Sequence, residues 1–232
     1  MRPFRSRIAA IALSLFASSA WAVPVHIQAS GVTFDSDLSG AEALLSDNAG
    51  AAVFSLPGIE SALSALAIDD TGSRSYSGSI TLSARTGYRV TGYSLKGTFN
   101  GTLQVGQSPT ETIPGSANNS VSLTLEGEEL VTANPRPQQG TSLFDLDHED
   151  GFLFEDSGFS SLTGLLLWIN GSTEVSAVPA FEAGSGADTT DTYYSSLAGI
   201  DLSSLLLTVY TEADASAVPE PAGFGLVGAG LG

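Results

Sequence analysis

The chain of 232 residues carries 25 acidic and eight basic residues, a formal net charge of −17 at pH 7, and it has no cysteine. Without thiols there are no disulfide bonds and no thiol catalysis, so a stable fold must come from the burial of apolar side chains. Only five basic residues follow position 22, all within residues 74–136, and this excludes the broad basic surface that nucleic-acid binding requires.

The first 22 residues have the three parts of a secretory signal peptide. Three arginines within the first seven residues precede an almost purely apolar stretch over residues 8–17, and Ala20-Trp21-Ala22 matches the small-residue motif of signal peptidase. The apolar stretch is too short for a stable membrane-spanning helix. We therefore expect cleavage after Ala22 and export, which leaves five basic and 25 acidic residues, a net charge of −20.

Residues 23–211 are predicted to form one all-β domain, a two-sheet antiparallel β-sandwich that is jelly-roll-like. Short apolar runs alternate with Ser, Thr and Gly, and hardly any segment repeats apolar residues at helical spacing. The first strand is expected within residues 25–34. Short helices are expected at residues 40–45 and 59–66, where Ala, Leu and Glu cluster.

The clearest strand pattern lies in residues 76–105. Apolar residues occupy even positions up to Val90 and odd positions from Tyr93 onward. One face can stay buried along such a strand only if an extra residue is inserted where the pattern changes. The sequence therefore predicts a β-bulge or kink at Gly92.

Two denser apolar runs, at residues 165–169 and 205–210, predict central strands that are covered on both faces. Trp168 lies within the first run, so the expectation for its side chain is packing in the core. The side chains predicted to lie between the two sheets are Leu82, Val90, Leu95, Phe99, Leu123, Leu125, Leu167, Leu205, Leu207 and Val209.

The densest polar cluster begins at residue 145. Acidic residues at its first, third, fifth and twelfth positions follow the spacing of a D-x-D-x-D calcium loop, although Gly151 stands one position later than the glycine of an EF-hand. Two interpretations stay open, a solvated acidic turn without a ligand or a calcium site formed by Asp145, Asp147, Glu149 and Asp156. Weaker candidates for metal ligation are the pairs Asp35 with Asp37 and Asp69 with Asp70.

Catalysis has little support in the sequence. The only histidines are His26 and His148, no G-x-S-x-G nucleophile motif is present, and the glycine-rich runs lack the lysine of a phosphate-binding loop. We therefore expect no catalytic residues and no enzyme. Aromatic rings can instead stack on sugar rings, and Tyr193 and Tyr194, which follow a polar loop, are the candidate carbohydrate contacts.

The C-terminal motif consists of Val218, Pro219, Glu220 and Pro221, followed by eleven uncharged residues of which five are glycine. It resembles the tail of the PEP-CTERM family of exported proteins. In that family a Pro-Glu-Pro motif, a membrane-spanning helix and a basic cluster are processed by an exosortase, in Gram-negative bacteria that make exopolysaccharide. The resemblance implies that residues 212–232 are a linker and a partial sorting signal, with exosortase as the processing partner. The two prolines favour an extended, accessible segment.

Eleven residues are fewer than the roughly 20 that a membrane-spanning helix needs, so we expect the coding sequence to continue beyond Gly232. Membrane contact is then expected only through this tail before processing. The resemblance implies an exported surface or extracellular-matrix protein with a structural or adhesive role associated with exopolysaccharide. The alternatives are a carbohydrate-binding module and a polysaccharide hydrolase, which would need two carboxylates facing each other across a cleft.

Overall fold

The computed structural model describes residues 25–37, 41–48, 50–109, 113–184 and 190–214. They form one short helix, α1 (Pro57–Leu63), and the strands β1 (Val25–Gln28), β2 (Val32–Ser36), β3 (Ala43–Asn48), β4 (Ala51–Ser55), β5 (Ala65–Ile68), β6 (Thr71–Ala84), β7 (Tyr88–Gln104), β8 (Ser116–Glu129), β9 (Gln139–Phe144), β10 (Glu149–Leu162), β11 (Gly164–Val178), β12 (Ala180–Glu182), β13 (Thr192–Tyr194) and β14 (Leu197–Ala213).

The strands form two large antiparallel sheets and the small β12–β13 pair. The first sheet has the order β1-β2-β6-β11-β8-β9, and none of its five strand pairings shifts register. Side chains along each of its strands therefore alternate strictly between the core and the solvent.

The second sheet has the order β10-β7-β14-β4-β3, and β5 pairs with the start of β14. Three of its five pairings shift register. One shift confirms the bulge predicted at Gly92, because Tyr210 pairs with Gly92 while the next residue, Thr211, pairs with Val90 and leaves one residue of β7 unmatched. The extra residue moves the apolar side chains of β7 from even to odd positions on a single buried face.

The core lies between the two sheets, and the prediction of a two-sheet antiparallel β-sandwich is confirmed. Phe34 of the first sheet and Phe54 of the second stack with ring centroids 4.8 Å apart, which ties the two layers together. Every residue predicted for the core is fully buried: Leu82, Val90, Leu95, Phe99, Leu123, Leu125, Leu167, Leu205, Leu207 and Val209.

Three of the local predictions need correction. Residues 43–48 form strand β3 rather than a helix, because pairing with β4 outweighs the weak helical preference of Ala and Leu. Residues 25–34 contain most of two strands, separated by the turn that follows Gln28. The runs at 165–169 and 205–210 are central strands as predicted, yet they are covered on one face only, and their outward side chains are partly exposed.

The expected second helix exists as α1, which begins with Pro57 in its first turn, where the missing N–H of proline costs no hydrogen bond. Glu60 of α1 accepts a hydrogen bond from the backbone N–H of Leu205 at 2.5 Å. This donor lies in the bulge of β14, next to Ser204 with a φ of 55°. The helix thus supplies the partner that the bulged strand lacks within its own sheet. Within the described residues, no helix has the length and apolar character to cross a membrane.

Candidate functional site

The outer face of the first sheet is built almost entirely from short polar side chains. On β11 the odd positions from Leu165 to Ala177 turn to the core, while the even positions face solvent. The register of β6 and β8 places their own outward residues beside these positions. The polar outward side chains of the three central strands include Ser75, Ser77, Ser79, Thr81, Asn170, Ser172, Glu174, Ser120, Ser122, Thr124 and Glu126.

A shallow groove of about 470 Å³ crosses one end of this face. Its central row runs across four strands, because Ser73 pairs with Glu174, Glu174 with Ser120, and Ser120 with Phe144. Phe144 stands at the edge with 73% of its surface exposed. The groove therefore offers an aromatic ring beside hydroxyl and carboxylate groups.

Trp168 lies on the same face, and the expectation that it packs in the core is wrong. Its position is directly beside Ser79 on β6 and Glu126 on β8, and its side chain is half-buried. Glu174 lies six positions further along β11, which is roughly 20 Å along an extended strand. The polar face between Trp168 and the groove therefore extends for several residues along the strands, with an aromatic ring near each end.

The groove is held in shape by Asn119, which is buried below its floor. The side-chain amide of Asn119 donates to the carbonyl oxygens of Leu146 and Gly199 at 2.8 and 2.9 Å, and its oxygen accepts the N–H of Leu146 at 2.7 Å. Leu146 is buried in the core, and Gly199 belongs to β14 of the second sheet. One side chain thus joins the floor of the groove, the loop that follows Phe144 and the opposite sheet.

This loop contains the acidic cluster, and the structure separates the four carboxylates predicted as calcium ligands. Asp145 lines the groove. Asp147 accepts the backbone N–H of Leu103 at 2.9 Å, and Glu149 begins β10 opposite Asn100. Within the part of the chain that the structure describes, no group of three acidic or histidine side chains is close enough to hold a metal ion.

Asp156, the fourth predicted ligand, forms a two-point ion pair with Arg136, with N···O distances of 2.8 and 3.0 Å. The guanidinium also contacts Glu129 at 3.5 Å and lies 4.4 Å from the centroid of the Phe159 ring. The hydrogen bond and charge of Asp156 raise the pKa of Arg136, and a hydrogen bond from Thr132 contributes most to lowering the pKa of Glu129. This network anchors the proline-containing loop between β8 and β9.

The two weaker acidic pairs also have structural partners. Asp37 accepts the backbone N–H of Ser79, and Asp70 accepts that of Thr71. His26 and Asp35, side by side at the edge of the outer face, are 2.5 Å apart. Asp69, the last of these four carboxylates, accepts the backbone N–H of Ser196.

Tyr193 and Tyr194 do not form a shared aromatic platform. They are consecutive in β13, so their side chains leave on opposite sides of the strand. Tyr193 is 64% exposed and packs against Phe181 with ring centroids 5.2 Å apart. The hydroxyl of Tyr194 donates to Glu182 at 2.9 Å, and this hydrogen bond raises the pKa of Tyr194.

The sequence analysis missed the groove, although one pattern could have revealed it. From Trp168 to Ser176 the even residues of β11 are Trp, Asn, Ser, Glu and Ser, while the odd residues are buried or small. Continuing this alternation backward would have placed Trp168 on the polar face. The predicted sorting motif, Val218, Pro219, Glu220 and Pro221, lies outside the described residues.

No protein-family model and no curated protein matches the sequence. Several solved structures, including the following two, are weakly similar. One is TmCBM61 in complex with β-1,4-galactotriose, with a TM-score of 0.24 and 10% identity, covering 75% of this chain and 90% of that chain. The other is the enzymatically active domain of tailspike protein 4 of bacteriophage CBA120, with a TM-score of 0.23 and 6% identity, covering 65% and 19% respectively. Similarity at this level assigns no function.

Proposed function

We propose that the protein is an exported, non-enzymatic adhesive protein that binds polysaccharide along the outer face of its first sheet. The observation that carries the proposal is the arrangement of Phe144 and Trp168 near the two ends of a face of hydroxyl, amide and carboxylate groups with a regular register. A sugar ring has an apolar face that can stack on an aromatic ring, and hydroxyl groups at its edge that both donate and accept hydrogen bonds.

The composition of the face also favours binding. Its outward side chains are mostly Ser and Thr, which lose little conformational freedom when a ligand covers them, whereas long Lys or Glu side chains would lose more. The unshifted register fixes their spacing along and across the strands. A repetitive polymer can then meet a repetitive array of hydrogen-bonding groups.

Export and attachment complete the proposal. The signal peptide over residues 1–22 directs the chain out of the cytoplasm, and the tail that resembles a PEP-CTERM signal brings it to an exosortase at the cell envelope. A protein displayed there or released into the matrix would hold exopolysaccharide through the sandwich. The absence of a basic surface on this acidic chain argues against nucleic acid as the matrix component that it binds.

Affinity electrophoresis in gels containing defined polysaccharides, followed by calorimetry, tests the binding function. We expect Phe144→Ala and Trp168→Ala each to weaken binding about three- to tenfold, the size of one aromatic contact. The matched control is Tyr210→Ala, which removes a 42% exposed ring from the outer face of the second sheet and should leave binding unchanged. Equal losses in all three variants, or no retardation by any polymer, would refute the proposal. Release of new reducing ends would instead identify a hydrolase.

The tail is tested separately in a host that has an exosortase. Replacing both Pro219 and Pro221 with alanine should leave an unprocessed precursor, because the extended motif is lost. Pro114→Ala, at an exposed proline of the sandwich, is the control and should be processed normally. Normal processing of the double variant would remove the sorting signal from the proposal without affecting the binding face.

A further inference from the structure

The distribution of charge over the outer face of the first sheet is one-sided. All six strands of this sheet are described, and none of their outward positions holds Lys or Arg. The outward acidic residues are Asp35, Glu126, Glu128 and Glu174, and Asp145 lines the groove beside them. Of these carboxylates only Asp35 has a basic side chain against it, that of His26 at the edge of the sheet.

The basic residues of the sandwich are all directed elsewhere. Arg74 belongs to the core-facing register of β6 and lines a separate groove near α1 and β14. Arg85 lies beyond the end of β6 and donates to the carbonyl of Ala29. Arg89 and Lys96 are in the second sheet, and Arg136 is held by Asp156. The field over the face is therefore negative, and no Lys or Arg side chain within the face offsets it.

We infer that the polysaccharide bound by this face is uncharged, and that the face rejects polymers carrying uronate or sulfate groups. The inference rests on the proposed function and specifies its ligand. An acidic sugar placed between Phe144 and Trp168 would bring its charge close to Glu174 or Glu126 with no protein cation to pair with it. Like charges repel, and the repulsion adds over each repeat of an acidic polymer. An uncharged sugar can donate its hydroxyl hydrogens to the same carboxylates.

The experiment compares one polymer backbone in two charge states. A neutral glucan or galactan that binds in the electrophoresis screen is oxidised at C6 to the uronate, and both forms are measured by calorimetry with the mature protein. We expect binding of the oxidised form to be at least tenfold weaker at low salt. The difference should narrow in 1 M salt, where the Debye length falls to about 3 Å.

A charge-reversal variant then tests whether the selectivity is local. Glu174→Lys should strengthen binding of the oxidised polymer several-fold. The matched control is Glu155→Lys, which changes the net charge equally but lies on the exposed face of β10 in the second sheet. If both variants rescue equally, overall charge rather than this face sets the selectivity, and the inference is overturned.

The outcomes separate the inference from the proposed function. Equal binding of neutral and oxidised polymers, or tighter binding of the oxidised one, overturns the charge selectivity while leaving polysaccharide binding intact. Failure to bind any polymer in either charge state overturns the proposed function itself. The Phe144→Ala variant should also bind the neutral polymer more weakly. If it binds as tightly as the unaltered protein, the polymer is not held in the groove and the inference is overturned.

Discussion

The two sheets of the sandwich share one core but differ in regularity. The five pairings of the first sheet keep an unbroken register, whereas three of the five pairings of the second sheet are shifted. The irregularities of the second sheet are stabilised by groups from other elements, such as Glu60 at the bulge of β14. The first sheet has no register shift that needs such a partner, so its outer side chains keep a regular spacing along and across the strands.

The largest effect on stability is expected at the seam between the sheets, where Asn119 binds backbone groups of Leu146 and Gly199. Asn119→Ala removes the three hydrogen bonds that this buried side chain makes with backbone groups of Leu146 and Gly199. We expect a loss of about 3–5 kcal/mol in the free energy of unfolding, measured by chemical denaturation. Asn118→Ala, one residue earlier and exposed, is the control and should change stability by less than about 0.5 kcal/mol. Similar values for both would mean that Asn119 does not join the sheets.

The same seam can be tested from the second sheet. A Cβ atom at Gly101 would lie 2.0 Å from the carbonyl oxygen of Leu146, a backbone atom that cannot move without shifting the loop. Gly101→Ala should therefore cost about 2–3 kcal/mol in the free energy of unfolding. At Gly151 the nearest atom is 3.8 Å away, so Gly151→Ala should be tolerated. A stable Gly101→Ala variant would show that the loop adjusts freely.

Glu60 tests whether a bulge of the second sheet depends on its outside partner. Glu60→Ala leaves the N–H of Leu205 without its acceptor and should cost about 1–2 kcal/mol in thermal or chemical unfolding. Glu60→Gln keeps a side-chain oxygen that can accept the same hydrogen bond, so it should retain most of the stability. If Glu60→Gln lowers the free energy of unfolding as much as Glu60→Ala does, the negative charge of Glu60 rather than its hydrogen bond stabilises the bulge.

The sequence predicted those features of the comparison that depend on alternation. It identified ten residues of the core, because each of them lies on an apolar face with period two, and it placed the bulge at Gly92, because the face changes there. It could not predict the seam. In the sequence Asn119 does not differ from the other polar residues near it. Only the fold shows that Leu146 and Gly199, which are distant in the chain, bind its side chain.

The candidate site was harder to predict for a related physical reason. Apolar density in residues 165–169 suggested burial on both faces, but the outward positions are covered only by their own neighbours on β6 and β8. The acidic cluster was misleading because spacing along the chain does not fix distance in space. Asp156 follows Asp145 by eleven residues, yet it lies in the middle of β10, where Arg136 binds it.

A buried tyrosine of the second sheet provides a pH test of the core. Burial raises the pKa of Tyr93 to about 12, and the charge of Asp156 contributes to the shift. In the unfolded chain this tyrosine ionises near pH 10. Its contribution to the free energy of unfolding is therefore fully present below pH 10, and it is lost as the pH rises toward 12. Tyr93→Phe should reduce this alkaline loss by about 1 kcal/mol at pH 11.

The smallest effect on the free energy of unfolding is expected on the outer face of the first sheet. Phe144 is 73% exposed and lies on an edge strand, so the folded protein gains little from its ring. Phe144→Ala should change the free energy of unfolding by no more than about 0.5 kcal/mol, the range of ordinary surface substitutions. Measured beside the binding assay, this result would assign any loss of polysaccharide affinity to the missing ring itself. A marked loss of stability would instead mean that Phe144 supports the sheet, and that the outer face is not as independent of the fold as its regular register indicates.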